Sequence, residues 1–138
     1  MKNDHLEVSR LRADLLAAIR PHVPFDGWSE PAFAAAVADL GLDPALARLI
    51  CPRGAIDLAV EYHRAADRAL VTALEQSDLS SLKFREKVAH AVKLRLGLVD
   101  PELVRRASAA FALPHNAATG ARLVWETADV IWRALGDT

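Results

Sequence analysis

Apolar side chains recur three and four positions apart along most of these 138 residues, and no run alternates apolar with polar over the length of a strand. That periodicity limits the chain to helices packed against helices. Composition agrees, because Ala supplies 27 residues and Leu 20, against 15 for Val and Ile together. Ala and Leu lose little conformational freedom in a helix, whereas β-branched side chains lose more. The length suits one domain able to bury a real core. Cys51 is the single cysteine, so no disulfide framework exists and a reducing compartment is the natural expectation.

Punctuation divides the pattern into elements. Val8, Leu11, Leu15 and Ile19 form one stripe over residues 5–20, after which Pro21 and Pro24 are expected to stop the helix and Phe25-Asp26-Gly27 to turn the chain. Ser29 reads as the N-cap of a helix ending at Leu40, with Gly41 behind it; Asp43-Pro44 opens a short helix that Pro52 and Gly54 close. Four longer helices follow. Residues 55–76 carry Ile56, Ala59, His63, Ala66, Leu70 and Ala73 on the apolar side, with Asp57, Glu61, Arg64, Asp67 and Arg68 opposite. Phe84, Val88, Ala91, Val92 and Leu96 line the next, and Leu103, Val104, Ala107, Ala110 and Phe111 a shorter one after Pro101. Ala121, Val124, Ala128, Ile131 and Leu135 have core spacing on the last. The expected organisation is a helix-turn-helix-like part over residues 1–54 and a helical, ligand-binding-like portion over residues 55–138.

Few residues suggest catalysis. There is no Gly-rich phosphate loop, no G-x-S-x-G turn and no H-E-x-x-H pair. His63 with Asp67, and Glu86 with His90, are spaced i,i+4, but two ligands do not make a metal site and such pairs are ordinarily surface contacts. Cys51 beside Pro52 reads as a small buried residue. No catalytic or metal-binding residue is assigned.

Residues 29–50 have the outline of a helix-turn-helix, yet only Arg48 on its second helix could donate to a base or phosphate. Residues 1–54 hold 6 basic and 7 acidic side chains, and the whole chain has a net charge of −1, a poor basis for holding a duplex. The expectation is an inherited scaffold that does not bind nucleic acid. Positive charge gathers instead between Lys83 and Arg106, with seven basic residues against three acidic. That run is either a solvated helix face or a patch for anionic headgroups or an acidic partner. Trp125 and Trp132, seven residues apart, project from one side of the last helix, with Asp129 between them. Small and large apolar residues alternate along the long helices, which suits a cavity for an apolar ligand as well as a filled core. Val88, Val92, Leu96, Phe111, Val124 and Ala128 are its candidate lining. No apolar run reaches the ~20 residues of a membrane-spanning helix.

Three motifs resemble those of one family. They are His22-Val23-Pro24-Phe25-Asp26-Gly27-Trp28-Ser29; Pro52-Arg53-Gly54-Ala55-Ile56-Asp57-Leu58; and a late group made of Leu113-Pro114, Asn116-Ala117, Trp125, Thr127-Ala128-Asp129, Trp132 and Gly136-Asp137-Thr138. In this order they are similar to the accessory lipid-binding family of ubiquinone (coenzyme Q) biosynthesis, the ninth Coq protein family, over about residues 15–138. The resemblance implies an all-α fold like that of the TetR transcriptional regulators, without action on DNA and without enzymatic activity. It also implies an isoprenoid lipid or ubiquinone precursor held among the helices and presented to the di-iron hydroxylase of the pathway. Asp129, Trp132, Gly136 and Asp137 match the motif of that family's partner-docking surface. A bacterial form, cytoplasmic and peripheral to the inner membrane, is expected, and dimerisation is possible by analogy with the regulators. Two departures stand out. Cys51 replaces a more usual aromatic, and the chain reaches Thr138 where the family continues into further helices, the last of them in contact with membrane. A C-terminally shortened form is the corresponding expectation. The competing reading is a TetR-like regulator with a hydrophobic ligand pocket, and a weaker third is a small helical interaction module.

Overall fold

The computed structural model describes the backbone of residues 2–136 and the side chains of residues 4–136. Among the described residues every regular element is helical: α1 (Lys2–Ile19), a 3-10 turn (Arg20–His22), α2 (Val23–Asp26), α3 (Glu30–Leu40), α4 (Pro44–Ile50), α5 (Ala55–Glu75), α6 (Phe84–Gly97), α7 (Pro101–Phe111), a second 3-10 turn (Pro114–Asn116) and α8 (Ala117–Leu135). The all-α expectation holds. Pro21 and Pro24 do end α1, but each then occupies the first turn of a new short helix instead of a loop. Proline is at home there, because the amide it lacks would have no intrahelical acceptor.

Backbone contacts group the chain into two compact units, residues 1–62 with 102–110, and residues 63–101 with 111–138. Residue 54, where the sequence was divided, lies inside the first unit, one residue before α5 begins.

In the first unit, caps set the helix boundaries. The Ser29 hydroxyl accepts from the Ala32 amide at 3.3 Å, and the Asp43 carboxylate from the Ala45 amide at 2.9 Å. Gly41 ends α3 at φ 64°, a conformation that costs glycine little and other residues more. Leu15 and Ile19 of α1 are fully buried, as are Ala32 and Ala36 of α3 and Leu58 of α5. The first sequence motif ties these pieces together. His22 Nε2 lies 2.7 Å from Asp39, Val23 is buried, and the Pro24 carbonyl accepts from Arg106 at 2.7 Å. Buried Trp28 donates through its indole N–H to the Leu103 carbonyl at 3.0 Å. Phe25 is the exception, with 85% of its surface exposed.

The second motif is equally architectural. Gly54 turns at φ 64°, and the Asp57 carboxylate reaches back to the Arg53 amide at 2.7 Å at the start of α5. A Cβ on Gly54 would meet Glu30 Oε1 at 2.5 Å. Cys51 is buried as expected, and loss of water around it raises its thiol pKa, which suits a packed residue and not a nucleophile.

The second unit brings α6 and α8 against the later part of α5. Leu70, Leu74 and Ala91 form its buried centre, with Leu79, Leu94, Val130, Ile131 and Leu135 packed around them.

Candidate functional site

The core-facing sides of α6 and α8 differ from the spacing read in sequence. Ala91 is buried and Val88 half-buried, but Phe84, Val92 and Leu96, grouped with them, are exposed. On α8 the inward residues are Leu123, Thr127, Val130 and Ile131, while Ala121, Val124 and Ala128 face outward. The physical reason is Thr127, a polar residue on the core side whose hydroxyl has a buried acceptor.

That acceptor is Asp67. Its carboxylate takes hydrogen bonds from Thr127 Oγ1 at 2.8 and 3.0 Å and from Arg95 Nε at 2.8 Å. Only 7% of the Asp67 side chain and 11% of the Arg95 side chain are exposed. Asp67, placed on the polar side of its helix by sequence, is therefore a buried residue sharing a stripe with Leu70 and Leu74. A buried carboxylate is tolerated here because a guanidinium and a hydroxyl satisfy it. Arg95 also donates to the His63 carbonyl at 3.3 Å and lies 3.5 Å from His63 Nδ1. Burial, then the Arg95 charge, lower the pKa of the His63 imidazole; Asp67 acts in the opposite direction. His63 and Asp67 thus join Arg95 and Thr127 in one polar node. Nearby, Arg64 clamps Glu126 through two bonds of 2.9 and 3.1 Å, which holds the Glu126 carboxyl below its usual range.

The candidate lining residues divide into two groups. Val88 and Phe111 are half-buried. The Phe111 ring lies 6.1 Å from His63 and rests over Gly120, where a Cβ would meet Phe111 Cβ at 2.8 Å. Val92, Leu96, Val124 and Ala128 stand on the outside of α6 and α8, with Leu96 66% and Val124 71% exposed. Trp125 (74%) and Trp132 (56%) on α8 are exposed as well. Each of these side chains is open to solvent and does not line an enclosed cavity.

Three of the four docking candidates are described. Asp129 and Arg133 form an exposed ion pair at 3.0 Å. Trp132 meets the edge of the Phe84 ring at 5.9 Å between centroids, and Phe84 also approaches Gly136, whose Cβ position lies 3.2 Å from it. Asp137 lies outside the described residues. Within the charged run, Arg95 is committed to Asp67, while Arg105 and Arg106 both bond Glu102. Among the described residues no group of three or more metal-ligating side chains comes together, and no helix is long and apolar enough to cross a membrane.

The helix-turn-helix region offers a different surface. A groove of about 290 Å³ lies over Phe33, Ala34, Val37, Leu42 and Pro44, at the lower edge of ligand-sized pockets. Arg48 closes its rim. The guanidinium binds Glu30 through two bonds of 2.5 and 3.2 Å and stacks over Phe33 at 5.0 Å, so a phosphate would have to compete with a carboxylate already in place.

No family model matches the chain. Curated proteins do. Over 135 positions, 92% of the chain, it is 28% identical to the probable ubiquinone biosynthesis protein coq9, mitochondrial, of Dictyostelium discoideum, of which it covers 44%. Over 145 aligned positions, 99% of the chain, it is 28% identical to the ubiquinone biosynthesis protein COQ9, mitochondrial, of Homo sapiens, of which it covers 45%. The Bos taurus COQ9 matches with the same identity and extent. The chain spans less than half the length of these relatives.

Proposed function

We propose that this COQ9-like chain is a non-enzymatic, lipid-binding accessory protein of ubiquinone biosynthesis. In this reading it holds an isoprenoid quinone precursor and presents it to the di-iron hydroxylase of the pathway, at the surface of the inner membrane. The carrying observation is the similarity to COQ9 along nearly the whole chain. The geometry supports it in two ways. Val92, Leu96, Val124 and Ala128 are exposed apolar residues that an isoprenoid tail can lie on, its removal from water being the driving force. The polar groups that cluster in the second unit, His63, Asp67, Arg95 and Thr127, bond one another, which suits a scaffold more than a reaction centre. Arg48, engaged by Glu30, likewise supports a role away from nucleic acid.

The direct test is mass spectrometry of lipid extracted from the purified protein, which is expected to show an isoprenoid quinone intermediate. Absence of any isoprenoid, both after purification and after reconstitution with the lipid, would overturn the reading. So would tight, sequence-dependent DNA binding abolished by Arg48→Ala, which belongs to a TetR-like regulator. For the docking residues, Trp132→Ala is expected to lower capture of the hydroxylase while the helical circular dichroism stays intact.

A further inference from the structure

We infer that the groove between α3 and α4, in the first unit, is a docking site for a basic amphipathic helix of another protein. Phe33, Ala34, Val37 and Ala38 repeat every four residues, so one face of α3 forms its long wall. Leu42 and Pro44 stand opposite, and the Glu30–Arg48 pair closes one end. From Glu30 to Ala38 the helix rises about 12 Å, which matches apolar side chains two turns apart on a docked helix. Phe33 and Val37 are fixed by burial, so little order has to be gained on binding. Ala34 and Ala38 are exposed and small, which lets a second helix come close.

Charge selects the occupant. Residues 23–47 contain four carboxylates, Asp26, Glu30, Asp39 and Asp43, and no lysine or arginine. Asp39 adjoins the lining residue Ala38, and Asp43 stands between the lining residues Leu42 and Pro44; both are exposed. Capping the Ala45 amide engages Asp43 without removing its charge. Arg48 does not offset these acids, because its guanidinium is held by Glu30 and stacked over Phe33. An apolar floor with a negative edge repels phosphate. It suits lysine and arginine, whose stems lie along the floor while their charged ends reach Asp39 and Asp43. The outer surface of α4 points the same way. A duplex-reading helix presents polar side chains there, whereas α4 exposes Leu46 (41%) and Leu49 (78%). The inference is independent of the proposed function, since none of these residues is assigned to lipid or to the hydroxylase.

The probe is a fluorescent, end-blocked helical peptide of about 16 residues, long enough for four turns. It carries leucine at every third or fourth position, lysine on both flanks of that stripe, and alanine elsewhere. Anisotropy is expected to show saturable binding to the full chain that weakens as salt is added. The same peptide with glutamate for lysine should bind at least about tenfold more weakly. Backbone amide NMR signals should shift at residues 30–48 and stay in place on α6 and α8. Ala38→Trp fills the groove from an exposed helix position and should weaken binding at least about tenfold. Asp39→Asn with Asp43→Asn removes two charges while asparagine still caps α4, and should cost about fivefold in affinity. The shift map and the glutamate peptide use the unaltered chain, so a misfolded variant leaves the inference open to refutation. Shifts confined to α6 and α8, equal binding of the two peptides, or full affinity in the filled-groove chain would overturn it. So would shifts at residues 30–48 produced by a DNA duplex, or by raising the concentration of the chain alone, which assign the groove to nucleic acid or to a second copy.

Discussion

Asp67 shows how far a charge can be misread from its spacing. Its partners Arg95 and Thr127 lie 28 and 60 residues away, so no local pattern declares them. One signal was available, since Asp67 precedes Leu70 and Leu74 by three and seven positions and thus shares their face. Removing this carboxylate leaves a guanidinium buried without its counter-ion. Asp67→Ala should destabilise the chain by about 3–5 kcal/mol in urea unfolding. By contrast Asp129→Ala, which breaks the exposed pair with Arg133, should cost under about 1 kcal/mol. Similar losses for the two would show that the buried node carries no special weight. His63 adds a pH dependence of definite sign. Its folded pKa is depressed below 6.5, so the unfolded chain takes up the proton first on acidification. The stability carried by neutral His63 is complete above the unfolded value and is lost as pH falls toward and through the folded one. His63→Gln should flatten that limb of the stability curve, and parallel curves for both chains would refute the assignment.

At the level of elements, local chemistry explains which parts were legible. The ends of α3 and the start of α4 depend on Ser29, Gly41 and Asp43, residues whose preferences act within a turn of their own positions, and both boundaries follow from sequence. Ser29→Ala and Asp43→Ala should each cost about 1 kcal/mol, read as a lowered denaturant midpoint with unchanged slope; a shift in neither would mean the caps are idle. The faces of α6 and α8 were harder, because Ala and Val satisfy a helical stripe on either side of these helices. On α8 the series Ala121, Val124, Ala128 is as regular as Leu123, Thr127, Val130, and only the tertiary partner of Thr127 decides between them. The exposure of Val92 and Leu96 on α6 has the same origin, since apolar residues occupy both its inward and outward arcs. The exposure of these residues was therefore invisible in sequence, although nearly all of them had been singled out.

For the molecule as a whole, the motif around Trp28 proves to be a long-range fastener. Its indole bond to the Leu103 carbonyl joins positions 75 residues apart inside the first unit. Trp28→Phe keeps most of the ring but strands a buried carbonyl, and should lower stability by about 1–3 kcal/mol in urea titration while the helical signal below the transition is unchanged. An unaltered midpoint would show that the carbonyl finds another donor. Sequence reading reached the all-α class because helical periodicity is a property of the chain itself, but which distant segments close on each other depends on complementarity that no window contains. The same distinction gives the Asp67 node a further consequence. Helix faces made largely of Ala and Leu resemble rulers without graduations, since one can slide a turn past another and bury nearly the same area. A carboxylate that must meet a guanidinium on α6 and a hydroxyl on α8 at once supplies a single zero mark, from which the lengthwise setting of all three helices is read.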